Sequence, residues 1–115
     1  MPVEDVAISP LVEVEFCSLL ALKLRVRELT KRTALRALTQ FHEHLSDGYY
    51  EMLDISSREY DIAGTWLSGF NTPLRTLDAL HLACAFVHGE VLWTTDKSLA
   101  KAAALLSVGC RLITS

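Results

Sequence analysis

"PLRTLDALHLACAFVHG" (residues 73–89) is the segment that decides the fold, because as a helix it would be apolar on nearly every side. A helix that is apolar all round is usually buried in a protein core. Asp78 nevertheless lies near the start of this segment. Burial of an unpaired carboxylate costs several kcal/mol, so the side chain needs a compensating partner. The segment therefore predicts a buried helix with a carboxylate that is stabilised by a compensating partner.

The composition of the whole chain limits the classes of protein to which it can belong. Its 115 residues predict one domain over residues 1–115, and its 50% hydrophobic content excludes a disordered chain. The net charge of −3 gives no general attraction to nucleic acids or anionic membranes, so a nucleic-acid contact needs a local basic patch. No apolar run predicts a membrane span, and the N-terminus lacks a secretory signal. Cys17, Cys84 and Cys110 are expected to be buried thiols of a cytoplasmic protein.

Helices and strands are predicted to alternate along the chain. Apolar runs predict strands over residues 6–8, 49–55, 91–95 and 110–114. Capping residues and helical spacing predict helices over residues 9–27, 30–47, 56–67, 73–89 and 96–106. Such alternation predicts an α/β fold with a parallel sheet covered by helices on both faces.

Three carboxylates stand where a carboxylate is unexpected. Glu15 falls within an apolar stripe of the first helix, formed by Leu11, Leu19, Leu22 and Val26, and is expected to be at least partly buried. Asp78 lies between apolar residues of its own helix. Asp96 directly follows the strand "VLWTT", and the carboxyl ends of strands are where open α/β sheets bind ligands.

Each of these carboxylates also has a purely structural explanation. Asp96 alone fits a helix N-cap, and Asp78 fits an acid that stabilises the helix dipole. Glu15 could hold a nearby arginine in a buried ion pair. Together, however, the three acids indicate a site for a positively charged group. Mg²⁺ or Mn²⁺ would suit such oxygen ligands and would activate a bound water toward a phosphodiester.

A basic cluster surrounds the turn between the first two helices. Arg25, Arg27, Lys31 and Arg32 are its central members. The cluster fits a simple solvated turn, as charge runs usually do, and it also fits a surface that holds a nucleic-acid backbone or an acidic partner. The sequence leaves both explanations open.

Three stretches carry a resemblance to a known family. "ISPLVEVEFCSLLALKLR", "LRTLDALHLACA" and "LWTTDKSLAKAAALLSVGCRLIT" resemble successive blocks of PIN-domain proteins, particularly VapC-type toxins. The resemblance implies a three-layer α/β sandwich around a parallel sheet. It also implies an Mg²⁺- or Mn²⁺-dependent ribonuclease that is the toxin of a type II toxin–antitoxin system, a homodimer controlled by a cognate antitoxin.

The same resemblance assigns the site residues by motif. Glu15, Asp78 and Asp96 match the second, third and fourth acidic positions of the family, as catalytic residues and metal ligands. Thr94 matches a hydroxyl residue that often comes shortly before the last acid and supports it.

The chain departs from the family pattern at its start. PIN domains normally begin with a strand that ends in an aspartate, whereas "MPVEDVAIS" resembles their second strand. We therefore expect an N-terminally truncated PIN-like sandwich. The start could lie upstream, the sheet could be completed differently or by another subunit, or the chain could be a remnant. The alternative function is a non-catalytic truncated PIN-like protein that binds an antitoxin or another partner.

Overall fold

The computed structural model describes residues 7–113 of the chain. The strands of this part are β1 (Ala7–Ile8), β2 (Glu51–Met52), β3 (Leu92–Thr94) and β4 (Cys110–Leu112). The helices are α1 (Pro10–Arg25), α2 (Lys31–Ser46), α3 (Ser57–Ser68), α4 (Thr76–His88) and α5 (Lys97–Leu105). They belong to two compact units, an N-terminal unit (Met1–Leu53) and a C-terminal unit (Asp54–Ser115).

The N-terminal unit has the order β1–α1–α2–β2, with its two strands parallel. Ser9 caps α1 by accepting a hydrogen bond from the Leu11 N–H, and Pro10 occupies the first position of the helix. The two helices are joined by a stack of Phe16 on Phe41, whose ring centroids are 5.3 Å apart. The core of this unit is therefore aromatic and small.

The C-terminal unit has the order α3–α4–β3–α5–β4, and α5 is the crossover between two parallel strands. Its core joins α4 and α5, with strand residues packed against it. The buried members of this core are Leu82, Ala85, Leu99, Ala103 and Val108.

Helix α4 is the buried helix that its composition predicts. Its fully enclosed residues are Ala79, Leu80, Leu82, Ala83, Cys84 and Ala85. It begins at Thr76, three residues after the predicted start at Pro73, since Arg75 is still extended. It ends at His88 and is capped by Gly89, whose left-handed backbone (φ 67°) glycine adopts without the strain that a side chain would add. The helix is not enclosed everywhere, because Leu77 and Phe86 are both about half exposed.

The observed architecture is a mostly helical α/β fold with short parallel strands. In the described range the strands form two separate pairs, β1–β2 and β3–β4, instead of the single sheet that the alternation predicted. The three-layer arrangement and the missing first strand stay predictions. No helix found between residues 7 and 113 has both the length and the apolar character needed to cross a bilayer. The cysteine prediction was wrong for Cys17, which is exposed because α1 turns that side to solvent.

Candidate functional site

Asp96 is the N-cap of α5 and directly follows the turn after β3. Its Oδ1 accepts hydrogen bonds from the backbone N–H groups of Ser98 (2.9 Å) and Leu99 (3.2 Å). Leu99 is buried in the core, so the cap connects an exposed carboxylate to a rigid helix. The N-cap explanation is thus confirmed. Both capping bonds use Oδ1, so a contact through Oδ2 does not compete with them.

Thr94 fixes the turn that leads from β3 to Asp96. Its Oγ1 accepts a hydrogen bond from the Asp96 N–H at 3.0 Å, while its carbonyl oxygen accepts one from the Ile113 N–H at 2.7 Å. The hydroxyl residue therefore connects the end of β3 with the cap of α5. This contact gives Thr94 a positioning role, in which it holds the backbone of Asp96 and leaves the carboxylate open.

Asp78 lies in the first turn of α4 and is half-buried. Arg75, the N-cap residue, makes no side-chain capping bond. The carboxylate of Asp78 thus stands close to backbone N–H groups at the positive end of the helix dipole, which stabilises a negative charge there. The next two residues, Ala79 and Leu80, are buried, so the carboxylate lies at the boundary between core and solvent.

Connectivity places Asp78 and Asp96 at the same end of the C-terminal unit. Only residues 89–91 connect α4 to β3 and the two elements are in contact, so they run in opposite directions. Asp78 lies ten residues before the end of α4, about 15 Å along a helix. Asp96 follows the end of β3 by two residues and is likewise away from the α4–β3 connection. The two residues therefore both lie toward the end of the unit that is opposite residues 89–91.

The core supports the same conclusion. Asp78 precedes Leu82 by four residues on α4, and Asp96 precedes Leu99 by three at the start of α5. Residues at these spacings lie on one helix face, and both leucines belong to the same core cluster. Each aspartate thus lies on the core-facing side of its helix, at the end of that side that reaches solvent.

The expectation that Glu15 is at least partly buried was wrong. Glu15 is exposed on α1, and so are Leu19, Leu22 and Val26, which share its stripe. The reason is that α1 packs on α2 through a different side, which carries Phe16 and the buried Leu20. The stripe that contains Glu15 is thus an apolar surface of the N-terminal unit. The role assigned to Glu15 by motif stays a prediction.

The predicted basic cluster is an exposed surface at the turn between α1 and α2. Arg25 ends α1, Lys31 and Arg32 open α2, and all three are exposed. Arg27, also exposed, has a left-handed backbone with φ 62°. It occupies the position after the helix cap where glycine is usual, since the next N–H bonds back to the Lys23 carbonyl. An arginine at this position is more strained than a glycine would be.

The structure also permits a test of how a metal would fit. Among residues 7–113, no group of three or more His, Cys, Asp or Glu side chains is placed to hold an ion. A pair of carboxylates is the usual protein contribution to an Mg²⁺ site that keeps waters and is completed by substrate phosphate. The described part of the chain therefore holds no closed site made by protein side chains alone, and the assignment of Asp78 and Asp96 as metal ligands stays a prediction.

A polar cluster that the sequence did not indicate lies at the opposite end of α4. Glu59 of α3 is buried, and its Oε1 lies 3.9 Å from His88 Nε2. His88 Nε2 also lies 2.8 Å from the Asp54 carbonyl oxygen. Only the Ser56–Glu59 capping box was visible in the sequence, and the structure confirms it.

Local hydrogen bonds and burial shift the pKa values of Glu59 and of the neighbouring Cys84. The backbone N–H and then the hydroxyl of Ser56 donate to Glu59 and hold the pKa of its carboxyl below the ordinary value, which outweighs the opposite effect of burial. Burial raises the pKa of the Cys84 thiol, and the Glu59 carboxylate raises it further. Cys84 is therefore an inert core thiol, and the cluster holds α3 against α4.

Comparison with known proteins identifies the family of the chain. No curated protein and no solved structure matched the chain. A family profile described as "PIN domain" matches residues 1–105. Proteins with this domain are generally nucleases that use divalent metal ions. Since the match covers most of the sequence and includes both aspartates, the chain belongs to the PIN domain family.

Proposed function

We propose that this protein is a metal-dependent ribonuclease of the VapC type, the toxin of a type II toxin–antitoxin system. It hydrolyses phosphodiester bonds of RNA. The observation that carries the proposal is that Asp78 and Asp96 each lie at the start of a helix of the C-terminal unit, in a chain of the PIN family.

In this proposal Asp78 and Asp96 hold Mg²⁺ or Mn²⁺ together with waters and a substrate phosphate. The ion, when bound, lowers the pKa of a water and so supplies the nucleophile. Glu15 is the third acid of the set, on the strength of its position in the family motif. Two carboxylates at helix N-termini are held in place before the ligand arrives, which favours catalysis by reducing reorganisation.

Thr94 contributes by positioning. Because its hydroxyl accepts the Asp96 N–H, the turn after β3 is held in one conformation. The carboxylate of Asp96 then meets its ligand without a change in the backbone. Loss of this hydrogen bond would loosen the site and leave its charge unchanged.

The basic surface is proposed to hold the RNA backbone. Arg25, Arg27, Lys31 and Arg32 are exposed side chains around a single turn, and phosphate contacts of this kind need no particular base sequence. The left-handed backbone at Arg27 supports a functional reason for its side chain.

Protein partners are part of the proposal. A cognate antitoxin would hold the toxin inactive, and the toxin itself would be a homodimer. The exposed apolar stripe of α1, with Leu19, Leu22 and Val26 each about half exposed, supports contact with another protein chain.

The decisive test is cleavage of single-stranded RNA with Mn²⁺ by Asp78→Asn and Asp96→Asn variants. We expect each to lose at least about a hundredfold in rate, since even loss of an outer-shell partner of a metal site costs 10–100-fold. Asparagine caps a helix as well as aspartate does, so Asp96→Asn keeps the fold. Asp61→Asn, which removes an exposed carboxylate of α3, is the matched control and retains activity. Full activity of Asp96→Asn would refute the proposed site.

A second candidate is a non-catalytic module that binds an antitoxin or another partner. The observation that favours it is the lack of a three-ligand metal group among residues 7–113. Calorimetric titration with Mn²⁺ distinguishes the two functions. Binding that Asp78→Asn abolishes supports the enzyme, whereas no Mn²⁺ binding by a protein that still associates with its partner supports the module.

A further inference from the structure

The outer face of the β3–β4 pair carries an aromatic–cation pair. Trp93 and Arg111 are partners in the parallel register, and the Arg111 guanidinium carbon lies 5.2 Å from the centroid of the indole ring. This distance is that of a cation–π contact. Trp93 is 47% exposed, so much of the indole surface faces solvent.

The two faces of this small sheet differ in what they contact. Leu92 and Cys110 point to the inner face and pack against the core of the C-terminal unit. Trp93 and Arg111 alternate with them and are therefore directed outward. The Trp93 indole is not part of the core. Together with the Arg111 guanidinium above its ring, it forms a flat, positively charged surface.

This surface lies close to the proposed site. Trp93 precedes Asp96 by three residues, which is about 10 Å along an extended chain. Thr94 lies between them and fixes the turn. If a nucleic-acid strand binds at Asp96, the nucleotide next to the reacting one is thus within reach of the Trp93 indole.

We propose that Trp93 and Arg111 form a stacking platform for a base of single-stranded RNA. Bases stack on indole rings and on guanidinium planes, and the guanidinium also pairs with phosphate. Single-stranded RNA fits because its bases are free to stack, whereas the bases of a duplex are paired and stacked on each other. This inference rests on the proposed function, since it names the substrate class of the same site.

The chain contains two tryptophans, which permits a direct optical test. Trp66 packs against the core and contacts Phe86, so Trp66→Phe preserves an aromatic ring there and leaves Trp93 as the only indole. Titration of this variant with a single-stranded oligoribonucleotide in EDTA measures binding without cleavage. We expect quenching of Trp93 fluorescence that saturates with RNA.

Affinity measurements on variants separate stacking from charge. Trp93→Ala is expected to weaken RNA binding about tenfold, and Trp93→Phe to recover most of it. Arg111→Ala is expected to reduce the slope of log K against log salt by about 0.7, whereas Trp93→Ala leaves that slope unchanged. Tyr60→Ala is the matched control. Tyr60 is exposed on α3 next to Glu59, at the far end of α4 from Asp78, so its loss leaves RNA affinity unaltered.

The outcomes distinguish the platform from the nuclease. RNA-dependent quenching in a protein that never cleaves supports the platform and contradicts the nuclease. Cleavage with an unchanged Kd in Trp93→Ala overturns the platform and leaves the nuclease in place. A Trp93 emission that shifts to the blue with protein concentration, without a response to RNA, shows that a second copy covers this face and also overturns the platform.

Discussion

Replacement of Glu59 by glutamine tests the capping box at the start of α3, where α3 meets α4. Glu59 is 2% exposed, and its Oε2 accepts hydrogen bonds from the N–H and the hydroxyl of Ser56. Glutamine preserves the shape of this capping box but removes the charge. It also places an amide N–H₂ or a carbonyl where the carboxylate faces His88, 3.9 Å away.

The expected loss of stability follows from these contacts. A hydrogen bond to a charged group contributes about 1.5–3 kcal/mol, and one between neutral groups about 1 kcal/mol. Two bonds are weakened and none is removed. The free energy of unfolding should therefore fall by about 1–2 kcal/mol at neutral pH, measured by urea denaturation. Glu90→Gln is the matched control, since Glu90 is exposed and its loss should change stability by less than about 0.5 kcal/mol.

The pH dependence gives the sharper result. The pKa of Glu59 is lowered in the folded protein, so its ionised form stabilises the fold. That contribution is complete above the ordinary glutamate value of 4.5 and is lost as the pH falls through the lower folded pKa. The stability difference between the wild type and Glu59→Gln should therefore shrink in acid. A difference that stays constant from pH 7 to pH 3, or a variant more stable than the wild type at pH 7, would refute this reasoning.

Three further predictions concern single positions. Asp96→Ala should lower the free energy of unfolding by about 1 kcal/mol through loss of the α5 cap, whereas Asp96→Asn should change it little, as urea denaturation would show. Gly89→Ala should cost about 1 kcal/mol in the same assay, since alanine is strained at φ 67°. In the native protein a thiol reagent should modify exposed Cys17 quickly and buried Cys84 only on unfolding, as mass spectrometry of the labelled peptides would show. Equal labelling of the two thiols would contradict the core position of Cys84.

Local signals predicted the elements of this protein well. The capping pairs at Ser9–Pro10 and Ser56–Glu59 and the Gly89 stop depend on a few neighbouring residues, and the structure has each of them. The buried character of α4 was visible because its composition leaves almost no polar face. The N-cap role of Asp96 was likewise one of the explanations open to the sequence. These features need no information about distant parts of the chain.

Features that depend on packing partners could not be predicted in the same way. The stripe around Glu15 looks like a buried face at helical spacing, but α1 uses Phe16 and Leu20 against α2 instead. The approach of His88 to Glu59 joins residues far apart in the sequence, and no local pattern indicates it. Periodicity gives the faces of a helix and leaves open which face meets a neighbour.

The Asp78 carboxylate, although it lies in an apolar segment, does not need a buried cation to be stable. Its position at the N-terminal turn of α4 gives it the favourable end of a helix dipole, and Asp96 gains the same advantage together with two backbone N–H groups. The fold therefore tolerates both charges without metal. In the proposed function the same two acids are the metal ligands. The structural and functional explanations of these residues are consequently compatible, because the helix starts that stabilise the two charges also fix the backbone position of each residue.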